Sequence, residues 1–578
     1  MKKLWSVFLA LVILLSMLPV ALAESPAVVT VAFWHTEGLE DTWPSSNELK
    51  LLKERHNIEL DFQYYDTDQF ALLMAGGDLP DIVTCGPDYL TTVLDNDLAL
   101  NLNDYLDQMP NLSLDIYTAS NELSTLLLGG EEKGLYFLAP GIGPESAGGD
   151  DNSSWGIRVR WDLYKELGCP EINNMDDFIQ VMKDMVALYP ENENGEQVYG
   201  IATCNLYARW YQMGCQLMES GGLNPWIWGG TMYMSGWEDT TLYNGYTDFD
   251  HSAYWTAMEF WNKCWREGLL DPDSFIMTRA ELQAKYTANR YVAAPPYEGA
   301  EIYAEASKAD PNTLMGIVSL PTPATFVFAD KLMLTGNMPS DNIFVNAKSD
   351  NIENALKVID FFHDPDVIRM IYNGVQGVDW DYDEDGVPYL TEKYFSDLAT
   401  YGNGTDEYKL ATGIQGQFTE WTIYQGGAIH PDGYPYDLGR MTENRAKVLN
   451  PLLADVAATY GQATHADAFM QLVKDGKTIS VVGDYGQMIA TGINNVPMDI
   501  QRIMDECAKI CEMAIPELVM AESDEEYAEI QTRILSELEA AGEPTAWAWA
   551  EEQFNAVKAE MQPIFDEAKE AYIEANYK

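Results

Sequence analysis

Three apolar runs separated by helix-like stretches constrain this chain most. The runs are VVTVAFW at 28–34, IELDFQYY at 58–65 and DIVTC at 81–85. A helix-like stretch at about 45–55 separates the first two. A second, small helix runs out at Gly76-Gly77, and Pro80 enforces a stop before the third run. Strands alternating with helices predict a parallel sheet covered on both faces. Ligands of such sheets sit beyond the carboxyl ends of the strands. Trp34-His35-Thr36-Glu37 and Cys85-Gly86-Pro87-Asp88-Tyr89 fall there.

The first residues read as an export leader. Lys2-Lys3 is its positive region, 4–18 its apolar region and Ala21-Leu22-Ala23 its small-residue cleavage site, which makes 1–23 a signal peptide. The apolar region is too short for a comfortable membrane span. The mature chain is expected to start near Glu24 and to work outside the cytoplasm, at the cell surface or in a periplasm. No cysteine follows the cleavage site, so a lipid anchor is not expected.

The 578 residues suffice for two or more domains, and a hydrophobic content of 47% can fill large cores. A net charge of −57 excludes nucleic acid and anionic membrane as partners, because both require basic surface. The seven cysteines are scattered, with neither zinc spacing nor a disulfide framework. Cys204 and Cys215 could bridge or remain buried thiols. Cys507 and Cys511, four apart on one helix, lie too far apart for an easy disulfide.

Further along, a strand at 135–140 leaves the first unit. A second unit opens with a strand at 156–161 and an amphipathic helix at 176–185, then continues through a strand at 198–203 and a tryptophan-rich loop region at 210–237. A helix at 254–265 and a strand at 290–294 follow. Gly316–Pro321 reads as a crossing back, 343–345 as a strand, and 352–362 as a helix. The last third is mostly helical, with apolar stripes at Ile500, Ile503, Met504, Cys507 and Cys511 and at Ile530, Ile534, Leu535 and Leu538.

Five phrases in register then resemble the family 1 extracellular solute-binding proteins, the maltose-binding-like receptors of ABC importers, in their large oligosaccharide (LipO-like) branch. They are GDLPDIV at 77–83, RWDLYKELG at 160–168, WREGLLDP at 265–272, ALKVIDFF at 355–362 and YNGVQGVDW at 372–380. The resemblance implies an α/β, two-lobed (type II) periplasmic-binding-protein fold, each lobe a sheet flanked by helices. It places 28–140 plus 315–375 in an N-terminal lobe, and 141–314 plus 376–578 in a C-terminal lobe with a helical extension. It implies hinged closure on a solute, delivery to permease subunits, a monomer and no catalysis.

The aromatic content carries the chemistry. Sugar rings offer a flat C–H face and a rim of hydroxyls, which an indole plane and a few fixed polar groups match. With 16 Trp and 33 Tyr, many beside Gly or Pro, the chain is rich in such planes. Trp34 ends the first strand, and His35 and Glu37 follow as hydrogen-bonding groups. Cys85 ends the third strand. Trp210 lies at the start of the loop region, and Trp226, Trp228 and Trp237 lie within it. Tyr297 and Glu298 follow a strand and match the family position of an aromatic platform. Trp380 and Trp421 lie where relatives supply further stacking. Large aromatics also fill cores, and each indole carries that second reading. Of Arg158 and Arg160, one could reach a hydroxyl or a sugar carboxylate and the other make an interlobe ion pair. Asp78 and Asp81 read as turn and strand-start caps rather than ligand acceptors.

Asp381, Asp383, Asp385 and Gly386, with Glu392 in the twelfth place, match the EF-hand calcium pattern. The flanks read as strands, so a plain hairpin turn at Asp385-Gly386 is the competing explanation. No other cofactor is implied. The expected function is capture of an oligosaccharide between two lobes. The alternatives are an exported glycoside hydrolase, which needs two carboxylates across a sugar ring, and a protein presenting its ligand to a membrane sensor.

Overall fold

The computed structural model describes residues 25–34, 45–86, 89–130, 132–138, 143–145, 157–217, 223–224, 232–236, 241–295, 302–303, 310–324, 331–333, 342–414, 429–478, 489–490, 492–493 and 496–577. The leader expected at 1–23 lies outside them. Two sheets organise the fold. The first runs Asn342–Val345, Ile82–Cys85, Ala27–Trp34, Ile58–Tyr65. Its three N-terminal strands are parallel, as the alternating pattern predicts, and Asn342–Val345 adds an antiparallel edge. Val29, Val31, Ile82 and Val83 are fully buried at its centre. Helices Asn47–His56 and Ile352–Phe362 cover it.

Local chemistry sets these boundaries. Ser46 caps helix Asn47–His56 by accepting from the Leu49 N–H, and Asn57 ends it in the left-handed conformation. Helix Thr67–Gly76 opens with a capping box between Asp66 and Gln69 and stops at Gly77, whose φ is 70°. Asp81 then does what its place in the phrase predicts. Its Oδ2 accepts from the Thr30 N–H at 2.8 Å and the Thr30 hydroxyl at 2.9 Å, and its Oδ1 accepts from the Ser349 hydroxyl. One carboxylate thereby ties the third strand to the first and to the start of helix Ile352–Phe362.

The second sheet runs Ile302–Tyr303, Gly316–Ser319, Arg158–Arg160, Ala293–Ala294, and all its pairings are antiparallel. Single parallel bridges at Tyr199–Tyr291 and Ile201–Leu270 extend it, in place of the continuous strand expected at 198–203. Helices Met175–Leu188 and Ala253–Arg266 form its core through Phe178 and Phe260, stacked at 5.8 Å.

Two corrections to the lobe boundaries follow. Gly316–Ser319 pairs with Arg158–Arg160, so this strand belongs to the second lobe, and the chain returns to the first only between 320 and 342. The segment after 376 also stays on the first lobe at first. Asn47 N–H donates to the Gly413 carbonyl, and Leu438 N–H donates to Asn373 Oδ1. The chain reaches the second lobe at helix Pro451–Thr459, where Asp455 accepts from Trp161 Nε1 and Lys165 Nζ, both at 2.7 Å. Helices Met498–Met520 and Asp524–Ala541 then pack on the second lobe, burying the expected stripe from Ile500 to Cys511. None of the seven cysteines forms a disulfide, Cys204 and Cys215 included. No helix among the described residues is long and apolar enough to cross a membrane.

Candidate functional site: the crevice between the lobes

Two of the passages between the lobes meet as a ribbon. Gly143–Glu145, on the way out of the first lobe, pairs antiparallel with Lys331–Met333, on the way back. A two-stranded ribbon is a weak element on its own. It lies on the path between the two four-stranded sheets.

On the first lobe, the carboxyl ends of the strands face this junction in sequence order. Trp34 pairs with Tyr65 at the last register position of the two longest strands. A row of rings follows: Tyr65 and Phe70 are 6.4 Å apart, and Phe70 and Tyr89 are 5.1 Å apart, edge to face. Tyr65 and Tyr89 are half-buried, so each keeps some ring surface accessible. Burial and the nearby Asp61 and Asp78 carboxylates raise the Tyr65 pKa, which keeps its hydroxyl protonated as a donor, bonded to Gln63 at 2.7 Å. Sequence reasoning placed Tyr89 beyond the strand ends without singling it out, and it overlooked Tyr65. Their place at strand ends, beside Trp34 and after Cys85, was the available signal.

The other expected site residues divide into three groups. The side chain of Trp34, and all of His35, Glu37, Trp226, Trp228, Tyr297, Glu298 and Trp421, lie outside the described residues. Arg158 is buried on the strand that opens the second lobe, and its Nε donates to Ser319 Oγ at 3.3 Å. Three residues are packed into interiors, which corrects the expectation that they face a ligand. Cys85 is fully buried in the first-lobe core. Trp210 is 3% exposed, stacked on Phe275 at 5.0 Å and edge-on to Trp261 at 5.5 Å. Trp380 donates from Nε1 to the Gly374 carbonyl at 3.1 Å, and the Arg369 guanidinium lies 5.4 Å from its ring centre.

Arg160, the second arginine of that strand, makes no interlobe pair among the described residues. It binds Asp162 through two bonds of 2.9 Å and lies 4.0 Å over the Tyr189 ring, all within the second lobe. Burial raises the Tyr189 pKa to about 12.

The calcium-like stretch folds as the competing hairpin. Trp380–Tyr382 pairs with Pro388–Leu390, and Gly386 takes a φ of 81° at the turn. Asp383 Oδ1 is occupied by the Asp385 and Val387 N–H groups, at 2.9 and 2.8 Å. Asp381 Oδ1 accepts from the Tyr382 N–H, and Glu392 opens a helix. Among the described residues no three Asp, Glu, His or Cys side chains gather in a way that could hold a metal ion.

No family model matches the chain. Lipoprotein LipO of Bacillus subtilis is 23% identical over 266 residues, which is 44% of this chain and 49% of that protein, so the chain spans about half the length of the curated relative it matches. Solved structures match nearly end to end. An HMO-binding, ABC-transporter-associated solute-binding protein from Bifidobacterium longum infantis is 13% identical with a TM-score of 0.56, covering 92% of this chain and 99% of its own. The N-glycan transport solute-binding protein NgtS from Streptococcus pneumoniae gives 0.53 at 13% identity, with the same coverage. The alginate-binding protein AlgQ2 gives 0.52 at 14%, covering 92% and 98%. With two sheets, a paired crossing ribbon and a match of this extent, the chain has the two-lobed α/β fold of the solute-binding proteins.

Proposed function

We propose that this chain is an exported receptor that captures an oligosaccharide between its lobes and hands it unchanged to an ABC-transporter permease. The observation that carries the reading is the end-to-end fold match to proteins whose names state sugar or glycan binding. The ring row Tyr65–Phe70–Tyr89 at the strand ends supports it, because a sugar's C–H face stacks on such surfaces. In this reading Trp34, His35, Glu37, Tyr65 and Tyr89 line the first-lobe side. Trp226, Trp228, Tyr297 and Glu298 line the second-lobe side, and Trp421 contributes from the C-terminal half. Hinge motion at the crossing ribbon closes the two sides on the ligand. The protein acts as a monomer, by binding alone and with no bond broken, and the leader 1–23 is removed on export.

Calorimetric titration of the mature chain with a panel of neutral and acidic oligosaccharides, with the sugars analysed by mass spectrometry afterwards, tests this. Saturable binding of one sugar class with intact sugars recovered is expected. Cleaved sugars would establish the hydrolase instead, and absence of binding across the panel would sink the receptor.

A further inference from the structure

The last helix, Glu543–Tyr577, has 35 residues, so at 1.5 Å per residue it is ~52 Å long and outreaches a single lobe. Its two ends rest on different bodies. At its start, the Glu543 carboxylate accepts from Asn244 Nδ2 at 2.9 Å and from the Tyr233 hydroxyl at 3.3 Å. The Trp547 ring lies 5.3 Å from Tyr233, and Ala546, Ala550 and Phe554 are fully buried beside helix Met498–Met520. All of these partners belong to the second lobe. Further on, the helix packs on Thr118–Leu128 of the first lobe. Gly492 is wedged at the seam: a Cβ there would come within 2.5 Å of Leu127 and 2.7 Å of Val557.

The two ends also differ in packing. The second-lobe end is closed by hydrogen bonds and by tilted and edge-on rings. The first-lobe end borders an open groove of about 560 Å³ where Ile564 faces Leu112, Leu114, Thr118 and Asn121. Pro563 stands inside the helix just before Ile564, where its missing N–H weakens the ladder and permits a bend.

We propose that helix Glu543–Tyr577 is an interlobe strap, anchored on the second lobe through Glu543 and Trp547 and bearing on the first through Val557 and Ile564, so that its seam with helix Thr118–Leu128 sets the resting angle between the lobes. The inference rests on the reading that the lobes move, and extends it by naming a control surface formed by residues outside the proposed ligand set. Every contact of the strap with the first lobe belongs to one interlobe angle, and loosening the seam releases that angle in the absence of ligand.

Small-angle X-ray scattering of the unliganded mature chain tests this without any sugar, so a failed sugar screen leaves it intact. The comparison sets wild type against Ile564→Asp, Gly492→Ala and a control, Leu72→Asp, at an exposed first-lobe position. Both seam variants should change the scattering profile. Amide exchange across 555–571 should rise roughly tenfold, as for a segment released from its contacts. The control should match wild type. Val557→Ala, placed in the Gly492→Ala background, should restore the profile by making room for the added methyl group. If Ile564→Asp does not fold, Gly492→Ala and its rescue carry the test alone. Faster exchange with an unchanged profile would overturn the proposal, since the strap would then be free and the lobes unmoved. Unchanged exchange and profile in a folded Gly492→Ala chain would overturn it too.

Discussion

The two sheets of this molecule solve the same problem differently. The first has two strands of eight residues in unbroken parallel register, from Ala27–Ile58 to Trp34–Tyr65. The second has strands of two to four residues, all antiparallel, extended by single bridges. The first is held by its ladder and by the Asp81 knot. The second is held by large side chains between helices, among them Trp161, Trp210, Phe260 and Trp261. A long ladder leaves an alternating signature in sequence, whereas a core of interlocked indoles leaves only composition. The contrast also says where each lobe should break.

Trp261→Ala should have the largest effect. The ring is fully buried, and Nε1 donates to the Trp210 carbonyl at 2.9 Å. Its loss should cost about 4 kcal/mol. In a calorimetric scan this should lower a transition belonging to the second lobe and leave one belonging to the first in place. A uniform shift of all heat absorption would mean that the lobes do not unfold separately.

Glu48 comes next. Its carboxyl is fully buried on the first lobe, and burial pushes its pKa from 4.5 up to about 8 against the smaller opposing effect of a backbone hydrogen bond. In the unfolded chain the group ionises from about pH 4.5, while the native state keeps its proton until about pH 8. Stability is therefore complete below pH 4.5 and falls as pH rises towards 8. Glu48→Gln should remove this slope, gaining roughly 4 kcal/mol at pH 8 and almost nothing at pH 4. Urea titrations of both chains at the two pH values read this directly, and equal gains at both would refute the assignment.

Asp81→Ala should cost about 2 kcal/mol, since it strands the Thr30 N–H and hydroxyl. The loss should fall on the first-lobe transition, the counterpart of the Trp261 result. The smallest effect is expected at the 380–390 hairpin: EDTA should leave the melting temperature unchanged, because the turn amides already occupy Asp383. A drop restored by calcium would show that the loop rearranges around the ion.

The same contrast explains what could be read in the residues alone. The strand at 58–65 and the helix at 352–362 appear at their expected bounds, because periodicity is local. The return of 376–414 and 429–438 to the first lobe was not legible, since it depends on docking such as Asn47 to Gly413 across more than three hundred residues. The interlobe strap was hidden for the same reason, although its helical character was plain. Among site residues, Trp210 and Trp380 were misread because an indole looks the same in sequence whether it meets a sugar or a neighbouring ring. Trp34 pairs with Tyr65 at the last register position of the first two strands, where strand order puts it.

The edge strand Asn342–Val345 is more than two hundred and fifty residues downstream of the strand it completes. A ribosome therefore releases the whole second-lobe sheet before the first can close. Until then, Ile82–Cys85 exposes an unpaired β edge to other nascent chains. Delaying collapse until the entire polypeptide has emerged suits such a layout, because both halves can then close together.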